Sequence, residues 1–205
     1  EVPLLIDNAY GVPFSGIIFS DARPLWNPNI ILCMSLSKLG LPGARCGIII
    51  ADESTIAAIG NMNGIISLAP GSIGPAIACE MIQRGDLLRL SEAVIKPFYQ
   101  DKVRQTIAII RRYLTADRCL IHKPEGAIFL WLWFRDLPIS TELLYQRLKA
   151  RGVLMVPGHF FFPGLEHDWP HTHQCMRMNY VPDAENIEKA VQILADEVEN
   201  AWRDS

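Results

Sequence analysis

Ser35-Leu36-Ser37-Lys38-Leu39-Gly40-Leu41-Pro42-Gly43-Ala44-Arg45 is the stretch on which the reading of this chain turns. The residues just before it, Ile30-Ile31-Leu32-Cys33-Met34, form an apolar run of strand length, the pattern of a strand covered on both faces. That run ends in two hydroxyls and a lysine, after which two glycines and a proline forbid a helix. An ammonium delivered at the end of a buried strand must be paired, exposed or put to chemical use, because an unpaired buried one is too costly to keep. Arg45 follows across a turn short enough for both cations to reach one small site. Two hydroxyls, a guanidinium and a lysine make an anion-binding corner that contains a potential amine nucleophile.

Three readings compete for that corner. In the first, Lys38 snorkels from a strand end into solvent. In the second, Ser35 is a nucleophile and Lys38 its base, as in Ser-x-x-Lys hydrolases. That motif goes with a Lys-Thr-Gly-type partner, and no Lys-[Ser/Thr]-Gly occurs in the chain. In the third, Lys38 forms a Schiff base with pyridoxal phosphate while Ser35, Ser37 and Arg45 hold the phosphate.

Bulk properties narrow the class. The 205 residues, half of them apolar, suffice for one large domain or two small ones with a real core. A net charge of −3 gives no footing for nucleic acid or an anionic membrane. No apolar run reaches the ~18 residues of a membrane span. Five scattered cysteines, odd in number, read as reduced thiols of a cytoplasmic protein and not as a disulfide frame. Glu1-Val2-Pro3 leads straight into an apolar strand, so the chain reads as the C-terminal part of a longer polypeptide.

Leu4-Leu5-Ile6 is a short apolar run, followed by the loop Asp7-Asn8-Ala9-Tyr10-Gly11-Val12-Pro13. Asp-Asn before Gly and Pro is ordinary turn chemistry. Asp7 and Tyr10 nonetheless stand at the end of a buried strand, where open α/β sheets bind ligands. Cys46 to Ala51 is a third strand, and the Lys38–Arg45 connection is too short for a crossover, so at least one neighbour is antiparallel. From Ser54 the pattern is helical, weakened by Gly60 and Gly64; a small-residue helix runs from Ala76 to Gln83, and a long amphipathic one from Ser91 to about Leu114. Beyond it, Cys119–His122 and Ala127–Phe134 read as strands, Thr141–Arg151 as a helix stopped by Gly152, and Val153–Val156 and Cys175–Tyr180 as strands. Asp183 caps a last helix with Ile187, Ala190, Val191, Leu194 and Val198 on its buried side. This divides the chain into residues 1–114, ending in a long interdomain helix, and a small α+β domain of residues 115–205.

Further polar candidates lie in the second part. Arg177, between Met176 and Met178, takes the opposite strand face from both methionines. It is either a surface arginine or a guanidinium fork for a substrate carboxylate. His159, His167, His171 and His173 cluster without a Cys-x-x-Cys or His-Glu-x-x-His, so no metal site is expected. Phe160-Phe161-Phe162 either packs a loop or lines an apolar side-chain pocket.

Taken together and in order, these segments resemble the fold-type-I pyridoxal-phosphate enzymes, specifically the class I/II aminotransferases. The pieces are Asp7-Asn8-Ala9-Tyr10, Ser35-Leu36-Ser37-Lys38 with Pro42-Gly43-Ala44-Arg45 and Gly47, Pro124-Glu125-Gly126-Ala127-Ile128-Phe129, Gly152-Val153 with Val156-Pro157-Gly158, and Arg177. Any one is weak, whereas the ordered set spans nearly the whole chain. The resemblance implies an α/β fold: the C-terminal part of an aspartate aminotransferase-like large-domain mixed sheet, plus a small α+β C-terminal domain. It implies a transaminase with pyridoxal 5'-phosphate as cofactor, exchanging an amino group by a ping-pong mechanism. The substrates would be a small apolar amino acid, valine being the candidate, and the 2-oxo acid pyruvate. A homodimer is the family's assembly.

The resemblance also assigns roles. Lys38 would carry the cofactor and shuttle a proton, Asp7 would pair with the pyridinium nitrogen, and Tyr10 would hydrogen-bond the phenolic oxygen. Ser35, Ser37 and Arg45 would bind the phosphate, and Arg177 the substrate carboxylate. Lys38 and Arg45 are one residue closer than in many members. The family's ring-stacking aromatic, its asparagine and its glycine-rich phosphate turn normally precede Asp-x-x-Tyr, so they are expected upstream of Glu1. A carbon–sulfur lyase on the same scaffold is the nearest rival. The aminotransferase-like effector domain of a transcription regulator is a second, which requires an upstream basic DNA-binding segment.

Overall fold

The computed structural model describes residues 2–12 and 16–204, so Pro13 and Phe14 of the loop after Asp7 lie outside the described residues. The chain forms two compact units, Glu1–Tyr99 with Glu125–Ala127, and Gln100–Pro124 with Ile128–Ser205.

The first unit holds a three-stranded sheet of β1 (Leu4–Asp7), β2 (Ile30–Ser35) and β3 (Gly47–Ile50), in that order. Strands β1 and β2 run parallel with Asp7 opposite Cys33; β2 and β3 run antiparallel with Ser35 opposite Gly47. The short Lys38–Arg45 link thus makes a hairpin-like return, as its length requires. Along β2, Ile30, Leu32 and Met34 are buried while Ile31, Cys33 and Ser35 are half-buried, the period of two expected of a pleated strand. Strand β1 departs from the buried strand expected of Leu4-Leu5-Ile6. Among the described residues it pairs only with β2, and Leu4 and Leu5 are 57% and 60% exposed.

Four helices follow: α1 (Glu53–Ser67), α2 (Ile73–Gln83), α3 (Asp86–Leu90) and α4 (Lys96–Tyr113). Asp52 caps α1, accepting the Thr55 N–H at 3.0 Å. No residue of α1 is buried among the described residues. The amphipathic pattern from Ser91 predicts one continuous helix, but Ser91–Ile95 is a π-helical turn leading into α4, with the Lys96 N–H bonded to the Ser91 carbonyl. Pro97 explains it. In a regular helix its ring would press on the Ala93 carbonyl, and a widened turn moves that carbonyl away. Beneath the sheet end, Leu36, Leu39, Cys46, Ala78 and Leu87 form a core cluster.

In the second unit, β4 (Leu120–Ile121), β5 (Phe129–Trp133), β7 (Cys175–Asn179) and β6 (Val156–Pro157) form an antiparallel sheet in that spatial order. The strand expected over Val153–Val156 is reduced to the two residues of β6. Leu130, Leu132, Met176 and Met178 are buried on one face, and Phe129, Trp131, Trp133 and Arg177 are half-buried. The Gln100–Tyr113 part of α4, with two further helices, α5 (Thr141–Ala150) and α6 (Ala184–Arg203), completes the unit. Asp183 caps α6 through the Asn186 N–H at 2.8 Å. Ile187, Val191, Leu194 and Val198 are buried along α6, each contributing about 1.5–3 kcal/mol of apolar burial. The Tyr113 hydroxyl, 2.6 Å from a Glu188 carboxylate oxygen, ties α4 to α6. No helix among the described residues is long and apolar enough to cross a membrane.

Candidate active site

The parallel pairing of β1 with β2 brings two chain segments, distant in sequence, to the same carboxyl edge of the sheet. Asp7 ends β1 and Ser35 ends β2, the position at which α/β sheets present ligand-binding loops. After Ser35 the chain winds into a 3-10 turn, Ser37–Leu39, closed by Gly40 in the left-handed region at φ 95°. Leu36 and Leu39 on either side of Lys38 are buried. They pin the turn from below and leave the Lys38 side chain half-buried above it. Its Nζ lies 5.6 Å from the centroid of the Tyr10 ring, within cation–π range. The Ser37 N–H donates to Ser35 Oγ at 3.2 Å, so both hydroxyl-bearing residues belong to one turn.

Asp7 Oδ1 accepts the Ala9 N–H at 3.2 Å, which is the local turn bond its sequence context predicts. The Asn8 N–H donates to the Cys33 carbonyl at 2.7 Å and extends the β1–β2 pairing one residue past the strand. Asp7 is exposed, and no cation lies within ion-pair distance of it among the described residues.

Arg45 ends a second 3-10 turn, Pro42–Ala44, at φ 47° and ψ 44°, a left-handed conformation that a long side chain adopts only at a cost. Its side chain is exposed. Gly74 in the first turn of α2 holds this loop down. A Cβ there would stand 2.2 Å from the Ala44 carbonyl oxygen, so only glycine permits the approach. Neither Lys38 nor Arg45 has a carboxylate within ion-pair distance among the described residues.

Arg177 lies in the second unit, in the middle of β7. It stands opposite Trp131 of β5 on one side and Val156 of β6 on the other. Its guanidinium carbon is 4.1 Å from the centroid of the Phe129 ring and 4.8 Å from that of Phe161. No carboxylate pairs with it among the described residues. The rings around Arg177 are what sequence reasoning left out. The signal was there: Phe129 and Trp131 share a strand face by the period of two, and Arg177 joins that face once β5 and β7 pair.

Three of the four clustered histidines have local partners. His173 Nε2 lies 3.3 Å from Asp168 and His159 Nε2 3.8 Å from Glu142. The His171 ring touches Cys175 Sγ at 3.2 Å, and burial lowers the His171 pKa.

A family model, "Aminotransferase class I and II", matches residues 1–194. The chain belongs to that family. Among its relatives, the valine–pyruvate aminotransferase of Escherichia coli (strain K12) is 78% identical over 204 residues, 100% of this chain and 49% of that protein. The crystal structure of valine-pyruvate aminotransferase AvtA from Salmonella typhimurium LT2 superposes with a TM-score of 0.94 at 80% identity, over 99% of this chain and 52% of that one. A putative amino-acid aminotransferase from Psychrobacter arcticum 273-4 also reaches 0.94, at 47% identity, over 99% of this chain and 47% of that one. The chain therefore spans about half the length of the aminotransferases it matches. The α/β fold that the resemblance implies is the fold this chain shares with these structures.

Proposed function

We propose that this chain is the C-terminal part of a pyridoxal 5'-phosphate-dependent aminotransferase that exchanges an amino group between valine and pyruvate. The observation that carries this reading is the 78% identity to the valine–pyruvate aminotransferase along the whole chain. On this reading residues 1–114 complete the cofactor-binding large domain and residues 115–205 form the small domain. The rest of the large domain lies upstream.

The donor set fits the cofactor group by group. Among the described residues, an amine without an acid partner suits an aldehyde, a carboxylate without a cation suits a pyridinium N–H, and a tyrosine hydroxyl suits a phenolic oxygen. Two serines and an exposed guanidinium suit a phosphate. Lys38 would hold the cofactor through Nζ, Asp7 its ring nitrogen, Tyr10 its phenolic oxygen, and Ser35, Ser37 and Arg45 its phosphate. When bound, the cofactor supplies an electron sink for negative charge at the substrate Cα. Lys38 Nζ, as a free amine, would take the proton from the substrate Cα and deliver it to the cofactor's C4′, a task for which its tethered turn gives a short reach. Asp7 keeps the ring nitrogen protonated by opposing its charge. Arg177 anchors the substrate carboxylate through paired N–H donors. Charge-assisted bonds of the phosphate and carboxylate kinds contribute roughly 1.5–3 kcal/mol each.

A cytoplasmic homodimer is part of the same reading. Five free cysteines accord with a reducing compartment. Ile65, Ile66, Leu68 and Ile73, 75–89% exposed around the α1–α2 connection, offer apolar surface for an upstream segment or a second copy.

The decisive experiment supplies the full-length protein with pyruvate and a panel of amino donors and measures alanine. Valine should lead the panel, and borohydride reduction should fix a pyridoxyl group on Lys38. Label on any other lysine sinks the site assignment. Keto-acid release from a sulfur amino acid without alanine formation would point to the lyase.

A further inference from the structure

The geometry points to Phe161 and Phe129 as positioning residues that hold Arg177 in a binding-ready orientation. This rests on the reading of Arg177 as the carboxylate anchor and adds what makes that anchor selective.

Three consecutive phenylalanines follow Gly158-His159, and they do three different things. Phe160 is 65% exposed and tilts against His159, with centroids 4.1 Å apart. Phe162 packs edge-on to Trp169 at 5.4 Å and to Trp131 at 6.0 Å. Phe161 alone turns toward the arginine. Its ring lies 4.8 Å from the Arg177 guanidinium carbon and stands edge-on to Trp131 at 5.3 Å. Trp131 sits directly across the strand pair from Arg177, so the tryptophan backs the ring that contacts the guanidinium.

The backbone fixes this arrangement. Strand β6 pairs with β7 through Val156 opposite Arg177. The 3-10 turn Gly158–Phe161 follows at once. It is anchored by Gly158, where a Cβ would stand 2.7 Å from the Cys175 carbonyl oxygen and 2.8 Å from that of Thr172. The turn cannot shift without lifting off β7, so Phe161 is delivered to the arginine of the neighbouring strand. Phe129 approaches from β5 at 4.1 Å.

A guanidinium carries its hydrogen-bond donors in its plane and none on its faces. Rings packed against it satisfy the cation through their quadrupoles and displace water, with no carboxylate partner needed. An acid in that role would compete with the substrate; two phenyl rings leave the in-plane N–H groups available. They also restrict the rotamers of a side chain that would otherwise lose much freedom on binding. Among the described residues no carboxylate neutralises the arginine, and aromatic contact orients it. A carboxylate meets a fork already held for bidentate pairing.

The test uses the full-length holoenzyme and isovalerate, a carboxylate of the valine skeleton that lacks the amino group. Its binding is measured by calorimetry beside KM and kcat for valine. Phe161→Leu should weaken isovalerate and raise the valine KM about 10-fold while kcat stays within about 2-fold, and Phe161→Tyr should restore both. Phe129→Leu should act in the same direction, which keeps the test usable should one variant fail to fold. Arg177→Lys should weaken isovalerate about 100-fold despite its charge. Wild-type isovalerate affinity in both leucine variants, with Arg177→Lys impaired, overturns the aromatic clamp alone, as does failure of Phe161→Tyr to restore binding. Wild-type affinity in Arg177→Lys overturns the anchor reading itself.

Discussion

Lys38 Nζ and the Tyr10 ring approach to 5.6 Å because β1 and β2 lie side by side and parallel, with Asp7 opposite Cys33. Each residue follows its strand by only a few positions, so the pairing alone brings an amine and a phenol together. Tyr10 thereby offers two things to the lysine's surroundings, an aromatic face and a hydroxyl. The two are separable by mutation. Tyr10→Phe keeps the ring against Lys38 and removes one hydrogen bond, for which about a 10-fold loss of kcat is expected with cofactor still bound. Tyr10→Ala removes both and should in addition loosen the cofactor, read as a lower occupancy on dialysis. Equal activity of the two variants would mean the ring contact contributes nothing.

Arg45 carries a backbone cost that its side chain must justify, since a left-handed arginine is disfavoured by about 1–2 kcal/mol. Arg45→Gly should leave unfolding stability unchanged or raise it by up to about 1 kcal/mol, while weakening cofactor binding through loss of the guanidinium. Arg45→Ala retains the strain and loses the same charge, so it should bind cofactor as poorly and be the less stable of the two. Denaturant midpoints with and without added cofactor separate the effects. If Arg45→Gly lowers apo stability instead, the strain argument is wrong.

Much of the candidate site could be proposed from residue order because its candidate groups are carried by short segments at strand ends. Asp7, Ser35 and Lys38 fall where an apolar run meets a breaker, and the hairpin-like return at Arg45 follows from loop length alone. Two features were beyond such reading. The π-helical turn at Ser91–Ile95 is invisible to a hydrophobic period, since Pro97 sets it by steric demand on a carbonyl four residues earlier. The aromatic contacts of Arg177 required the β5–β7–β6 register, which no single segment encodes.

Gly126 is the position where substitution should be least tolerated without touching chemistry. It adopts φ 154°, and a Cβ would lie 2.7 Å from the Ile17 carbonyl oxygen and 2.8 Å from the Ile18 Cα. The neighbouring Ala127 N–H donates to that same Ile17 oxygen at 2.9 Å, so the backbone cannot retreat without breaking the bond. Gly126→Ala should cost about 3 kcal/mol or more through strain and displaced packing. Gly60→Ala in the open middle of α1 should instead stabilise by up to about 1 kcal/mol. Thermal unfolding of the two full-length variants against wild type gives the comparison, and shifts of the same sign would contradict it.

Cys119 and Cys175 are fully buried, and burial pushes each thiol up to about 12. An unfolded thiol titrates near 8.5. The unfolded chain therefore loses these protons first, and the folded state is penalised only as pH climbs from about 8.5 toward 12. Below that window both thiols contribute their full stability, and within it each withdraws up to about 1.4 kcal/mol per pH unit. Urea midpoints of the full-length protein at rising pH should fall more steeply for wild type than for the Cys119→Ala, Cys175→Ala double variant. The two slopes should coincide below pH 8. The same burial keeps both thiols unreactive at neutral pH, so a thiol reagent should modify the exposed Cys79 first and reach Cys119 and Cys175 only on unfolding. Parallel slopes across the alkaline range, or early labelling of Cys175, would show that these sulfurs reach water in the native protein.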